Sequence, residues 1–405
     1  NCPRGSTDPG RIAGRAQELA GPNYPVGSKP AGFTPCLVTA TETGIWRVEF
    51  LGPVATSGDP ATLLANTNWT QVTDKALIAA WDVTVFSGNP PLSGRVWADY
   101  LPMNSGANNS NYLYLNVYVL SNEGYLFSQQ QVVDPFGYIF FANNRGFLSS
   151  STGNPVFKSV SSPGGTLQSG YSFHRPHQPD SGINVTHKIF FKSPASDLPA
   201  EASYWAGGDD WLRLAVPILP PQVEDVRFVG KDGTSGQAAG VAGGGGTFYY
   251  TNASSETLSV RIVIPLSANG VNVDRVLTGV ASPGEGSLVW DGLDGDGNPI
   301  YTSGTLSYNF TATLFGGEIH FPFFDVERSQ RLTVRRLNGP SAAQWPDDLL
   351  YWDHSLVPGT GQPAPLDNLE GLSSTGSPAM SYGSNRGNDK GRDAWTYVPS
   401  DQPAF

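Results

Sequence analysis

WDGLDGDGNPIYTSGTLSYNF, Trp290 to Phe310, is the stretch whose reading decides the fold. It reads as a hairpin: the end of one strand, a tight acidic-glycine turn, a short strand, a second turn and a long strand. Tyr308, Phe310, Ala312 and Leu314 alternate with Ser307, Asn309, Thr311 and Thr313, a period of two that sends one apolar row inward and one polar row toward water. The expectation is a β-sandwich module with Trp290 buried beneath the turn, beside Phe310 and Ile262. No catalytic group is needed to explain the pattern.

Composition extends this reading to the whole chain. At 405 residues there is room for more than one core. Charged residues make up 15%, against 48 Gly and 33 Pro, a balance of turns and extended strands. Aromatics at 11%, with ten Trp, exclude a disordered chain. The formal net charge is −11, and the 24 basic residues form no stripe that could neutralise successive phosphates, which disfavours nucleic acid as a partner. No run of 18 apolar residues occurs, so no membrane insertion is expected. The chain opens at Asn1 and Cys2 without a basic-then-apolar leader, as a mature or trimmed secreted protein would. Cys2 and Cys36 are expected to form one disulfide that pins the N-terminal segment, with two unpaired buried thiols as the alternative.

Four regions follow along the sequence. Residues 1–40 form a Gly/Pro-rich arm with a short helical candidate over Gly10 to Ala20. A first β-sandwich domain is expected over 41–217, from the segments IWRVEF, ALIAAWDVTVF, GRVWADYLPM, NYLYLNVYVL, GYLFSQQQVV, YIFFAN and INVTHKIFFKS. Pro217, Pro220 and Pro221 mark a linker. A second sandwich over 218–337 takes VEDVRFVG, GTFYYTNA, LSVRIVIPL, DRVLTGV, the Trp290 hairpin, EIHFPFFDVE and RLTVRRL. Residues 338–405 read as an irregular segment whose Trp345, Trp352 and Trp395 are costly to leave in water, at about 25 cal/mol per Å². These three are candidates for contacts that lie along a domain or a neighbouring molecule.

The hairpin resembles the immunoglobulin-like unit of flagellar hook-capping proteins and related modules near the C-termini of large secreted bacterial surface proteins. Their pattern W-D-G-x-D-x-x-G-N-x-(x)n-G is met by Trp290, Asp291, Gly292, Asp294, Gly297, Asn298 and Gly304. WDVTVFSG with GRVWADY, GEIHFPFFDVE, RRLNGP, YWDHS and NDKGRDAWTY are similar to a region of giant multi-domain surface proteins of gliding bacteria. The resemblance implies an all-β tandem of sandwiches, the second immunoglobulin-like, at the cell surface. It implies no particular activity.

Individual motifs are weak. Asp291, Asp294, Asp296 and Asn298 place oxygens at alternate positions, as a calcium loop does, but the twelfth position from Asp294 is Thr305 and cannot supply the bidentate acid. A hairpin turn in which glycines provide positive φ is preferred, with calcium as the alternative. His174, His177 and His187, with Asp180 nearby, lack the converging ligands of a zinc site. The doublets Asp209/Asp210 and Asp347/Asp348 place adjacent carboxylates on opposite faces of a strand, which is unsuited to paired acid–base work. Neither a Gly-x-Ser-x-Gly elbow nor a Ser/His/Asp arrangement is recognisable. Gly243 to Gly246 precede a strand and lack the Lys-Ser/Thr of a phosphate cradle. In NYLYLNVYVL, Leu113, Leu115, Val117 and Val119 suit a core, and Tyr112, Tyr114, Asn116 and Tyr118 form the opposite row. That row is read first as packing against other segments, and second as a carbohydrate- or protein-contact face.

The sequence therefore leads to a non-enzymatic, extracellular structural protein. Its partners would be copies of itself or neighbouring domains, and no cofactor is required. A carbohydrate-binding or adhesive module is the alternative, and a secreted glycan hydrolase a third.

Overall fold

In the computed structural model the chain is built almost wholly of antiparallel strands. The structure describes residues 8–48, 81–88, 90–103, 112–134, 138–162, 167–204, 207–236, 244–255, 257–268, 270–300, 309–343, 345–357, 367–376, 380–383 and 390–400. The helical candidate near the start becomes the six-residue helix Arg15–Ala20, which buries no side chain. All paired strands among the described residues run antiparallel, as expected where short turns rather than crossover helices join them.

Four sheets carry the fold. The first has the order Ser329–Arg336, Leu126–Val133, Leu113–Leu120, Lys188–Phe190 and Trp97–Ala98. The second has the order Tyr100–Met103, Tyr138–Phe141, Phe323–Phe324, Lys390–Arg392 and Val160–Ser161. A three-stranded sheet joins Glu224–Gly230, Gly246–Asn252 and Gly284–Trp290. A six-stranded sheet runs through Arg275–Ala281, Leu258–Ile264, Thr311–His320, Trp395–Pro399, Leu349–Asp353 and Asp367–Ser373.

Two main cores lie between these sheets. Phe248, Tyr250 and Trp290 of the three-stranded sheet pack on Val260, Ile262, Leu277, Ala312 and Leu314 of the six-stranded one. Trp290 is buried among them with Phe310 at the margin. The flanking strands do not form the expected hairpin: Gly284–Trp290 pairs with Gly246–Asn252 and Thr311–His320 with Leu258–Ile264, in different sheets, and Thr313 of the row expected to face water is buried between them. The larger core gathers Val117, Val119, Phe127, Ile189 and Val334 from the first sheet, Tyr138, Phe140 and Phe323 from the second, and Ile319, Leu350, Trp352 and Val398 from the six-stranded sheet.

One strand serves both cores. Thr311–His320 pairs with Leu258–Ile264 over its first half and with Trp395–Pro399 over its second, and the second ladder shifts register between Gly316 and Ile319. Such a bulge bends a strand and changes which side chains face inward. Ala312 and Leu314 are buried before it, Ile319 and Phe321 after it. Gly317 lies at φ 58 inside the irregularity, with the Tyr125 ring against its Cα, so a side chain has neither the backbone freedom nor the room.

Strand pairing crosses the boundaries expected at 217 and 337. Ser329–Arg336, placed by its sequence in the second sandwich, forms the edge of the first sheet through Leu126–Val133. Leu349–Asp353 and Trp395–Pro399, from the segment read as irregular, lie inside the six-stranded sheet. GRVWADYLPM, read as one strand, divides at Asp99 into two strands of different sheets.

Candidate functional site

The Tyr112–Tyr118 row lies on the outer face of the first sheet, and its members are not equivalent. Tyr114 is 65% exposed. Tyr112 is half-buried, with the Arg328 guanidinium 4.9 Å from its ring centroid. Tyr118 packs into a smaller apolar cluster with Leu120, Leu126 and Phe190. Beside Tyr114 the face carries Asn116, hydrogen-bonded by Gln130 at 3.0 Å, and Thr333 in register with Gln130. One free ring among polar side chains is what remains of the expected aromatic row.

The three tryptophans of the C-terminal segment also separate. Trp352 and Trp395 are buried within the chain's own cores, so neither is available for contacts between molecules. The physical reason is that their strands complete the six-stranded sheet and satisfy their backbone groups there. Trp345 is half-buried and lines a groove of about 740 Å³ with Val216, Pro217, Leu219, Pro220 and Pro340. Beside the groove Val216 is 77% exposed, Ile218 60% and Leu219 59%.

The acidic turn is organised by its own backbone. Asp294 Oδ1 accepts N–H bonds from Asp296 at 3.0 Å and Asn298 at 2.8 Å. Asp291 accepts from the Leu293 N–H and pairs with Arg275 at 2.6 Å. Trp290 Nε1 donates to the Leu293 carbonyl, closing the turn over the indole. Gly292 and Gly297 lie at positive φ, the conformation for which the turn pattern selects glycine. The carboxylates thus face different partners. Of the proposed disulfide, Cys2 lies outside the described residues, as do Tyr308, Ser307 and Gly304 of the hairpin.

The remaining acids and histidines are dispersed. Asp209 accepts from Ser203, Asp210 pairs with Lys188, Asp347 approaches Arg335 at 3.8 Å, and Asp348 accepts from Ser373. His174 lies 3.5 Å from Asp180, while His187 is buried just before the strand Lys188–Phe190 and its imidazole is pushed down to about 4 by removal from water. No group of three or more His, Cys, Asp or Glu suited to a metal ion occurs among the described residues.

Two buried polar groupings have no counterpart in the sequence reading. His320 is fully buried, its Nδ1 2.7 Å from Asp393 and its Nε2 2.7 Å from Glu318. Burial opposes the imidazolium, but the two carboxylates outweigh it and raise the group to about 9. Ser259 donates to the other Glu318 oxygen at 2.7 Å, so the network bridges neighbouring strands of the six-stranded sheet. Nearby, Ser159 Oγ and His354 Nδ1 lie 2.7 Å apart, and the Asp393 N–H donates to the same Oγ. Ser159 and His354 are both wholly buried, and burial with the Arg392 charge holds the His354 imidazole neutral, well below its ordinary value. Apart from Glu318 and His320, two positions apart on one strand, the bonded partners are separated by 59 to 234 positions, and no spacing rule brings them together. Comparison with protein-family models, with curated proteins and with solved structures gives no match.

Proposed function

We propose that this chain is a non-enzymatic structural protein of the cell exterior, a subunit of a surface layer or filament. It associates with copies of itself or with neighbouring domains through the groove beside Trp345. The observation that carries this reading is the exposed aliphatic rim Val216, Ile218 and Leu219 flanking a Trp- and Pro-lined groove. Contiguous apolar surface of this kind favours burial against another surface. The extracellular setting and the immunoglobulin-like character of the second module rest on the resemblance of the Trp290 hairpin. A net charge of −11 argues against nucleic acid. No helix among the described residues is long and apolar enough to cross a membrane.

Light scattering over a concentration series tests the assembly. The intact chain is expected to gain mass with concentration, and Leu219→Asp, which places a charge on the rim, is expected to remain monomeric. A wild-type chain that stays monomeric throughout would overturn the assembly reading. Tyr114 favours a second reading, an adhesive module for polysaccharide, because an exposed ring beside Asn116 and Gln130 offers stacking and hydrogen bonds together. Retention on immobilised glycans that disappears in Tyr114→Ala would support it.

A further inference from the structure

Lys188 begins the strand Lys188–Phe190 and lies in register with Leu120 on one side. On the other side Ile189 pairs with Ala98 and Phe190 with Trp97, so the next position along, Asp99, stands opposite Lys188. The hairpin Glu201–Ser203 with Asp209–Trp211 covers this end of the sheet, and Trp211 packs with Trp97 on Leu120, Leu126 and Phe190. Beneath it the Lys188 side chain is only 4% exposed. Its Nζ lies 4.2 Å from the Trp211 ring centroid and 5.3 Å from that of Trp97. The same nitrogen is 2.6 Å from Asp210 Oδ2, which also accepts from the Tyr204 hydroxyl at 2.9 Å.

An ammonium and a carboxylate withdrawn from water lose solvation that their mutual attraction need not restore. A proton passing from one to the other leaves an amine and a carboxylic acid. The amine is then a nucleophile held beside the carboxyl group it would attack, 2.6 Å from Oδ2, and fixed proximity of reacting groups favours such a step.

We propose that Lys188 and Asp210 condense to an intramolecular amide that ties the sheet to its covering hairpin. One ammonium proton moves to Oδ2; Nζ bonds to Cγ; the Cγ–Oδ2 bond breaks; and Oδ2 leaves as water, taking a second proton from nitrogen. Ammonium and carboxylate give amide plus one water, with no oxidant, reductant or further reactant. Oδ1 remains as the amide oxygen. Tyr204 donates to the departing oxygen, and Trp211 is held over the lysine by its Nε1 bond to Asp180 at 3.1 Å.

The bond is independent of the assembly reading, and intact mass measurement of the purified, reduced and denatured chain tests it. The expected mass is one water below that of the sequence, with a branched peptide joining Lys188 to Asp210 after proteolysis. Lys188→Arg, which keeps the cation between the indoles but cannot condense, is expected at its full sequence mass. A wild-type chain at full mass, or a branch joining other residues, would overturn the proposal.

Discussion

His320 shows how much can depend on one side chain placed between partners distant in sequence. Its imidazolium bonds to both Asp393 and Glu318 in a buried site, and losing one partner of such a buried group costs about 3–5 kcal/mol. His320→Ala is expected to lower stability by about that amount in chemical denaturation. The sign with pH follows from the raised value. An unfolded histidine titrates near 6.5 and the folded one at about 9, so the contribution is complete below pH 6.5 and declines as pH rises through 9. Unfolding midpoints measured across that window should fall for the wild-type chain and change less for His320→Ala. Equal slopes would show that the imidazolium is not the group responsible. Neither this site nor the Lys188–Asp210 contact was legible in the sequence: Asp393 lies 73 positions beyond His320, and only the paired strands bring them together.

At the scale of the element, the hairpin drawn around Trp290 is replaced by two strands of different sheets, Gly284–Trp290 and Thr311–His320, but the turn between them was legible. Its residues perform local tasks that sequence rules describe: Asp294 receives two backbone N–H groups, glycines take the positive-φ positions, and the indole is capped by the Leu293 carbonyl. Because these bonds set the turn, EDTA is expected to leave the melting temperature unchanged, while Asp294→Ala lowers stability by about 1–3 kcal/mol through the N–H groups it orphans. A calcium-dependent rise in melting temperature, lost in Asp294→Ala, would favour the calcium loop instead. The bulge in Thr311–His320 was not legible. A methyl group at position 317 would sit 2.5 Å from Cδ2 of Tyr125 at a left-handed φ, so Gly317→Ala is expected to lower the thermal midpoint measurably, with a loss above about 1 kcal/mol. An unchanged midpoint would mean that the strand accommodates the side chain by shifting its register. Segments such as LYLNVYV revealed themselves by alternation because one face is wetter than the other. LLYWD and WTYVP did not, because nearly every position of the first and every position of the second is buried, leaving no period of two to read.

At the scale of the molecule, those two unread strands change the architecture. Residues that composition assigned to an irregular terminal segment supply Leu350, Trp352 and Val398 to the larger core and complete the six-stranded sheet. Removing residues 338–405 is therefore expected to abolish cooperative unfolding, since it opens that core beside Ile319 and Phe321 and strips hydrogen-bond partners from Thr311–His320. The same pairing removes Trp352 and Trp395 from the proposed contacts between molecules and leaves Trp345, in the groove that it lines with Val216 and Pro220. Native-state hydrogen exchange of the intact chain tests the interleaved sheet most directly. The amides of Thr396 and Val398 are expected to exchange only with global unfolding, as slowly as those of Val117 and Val119. Exchange at those two amides at the rate of an unstructured peptide, with the rest of the chain protected, would contradict the account.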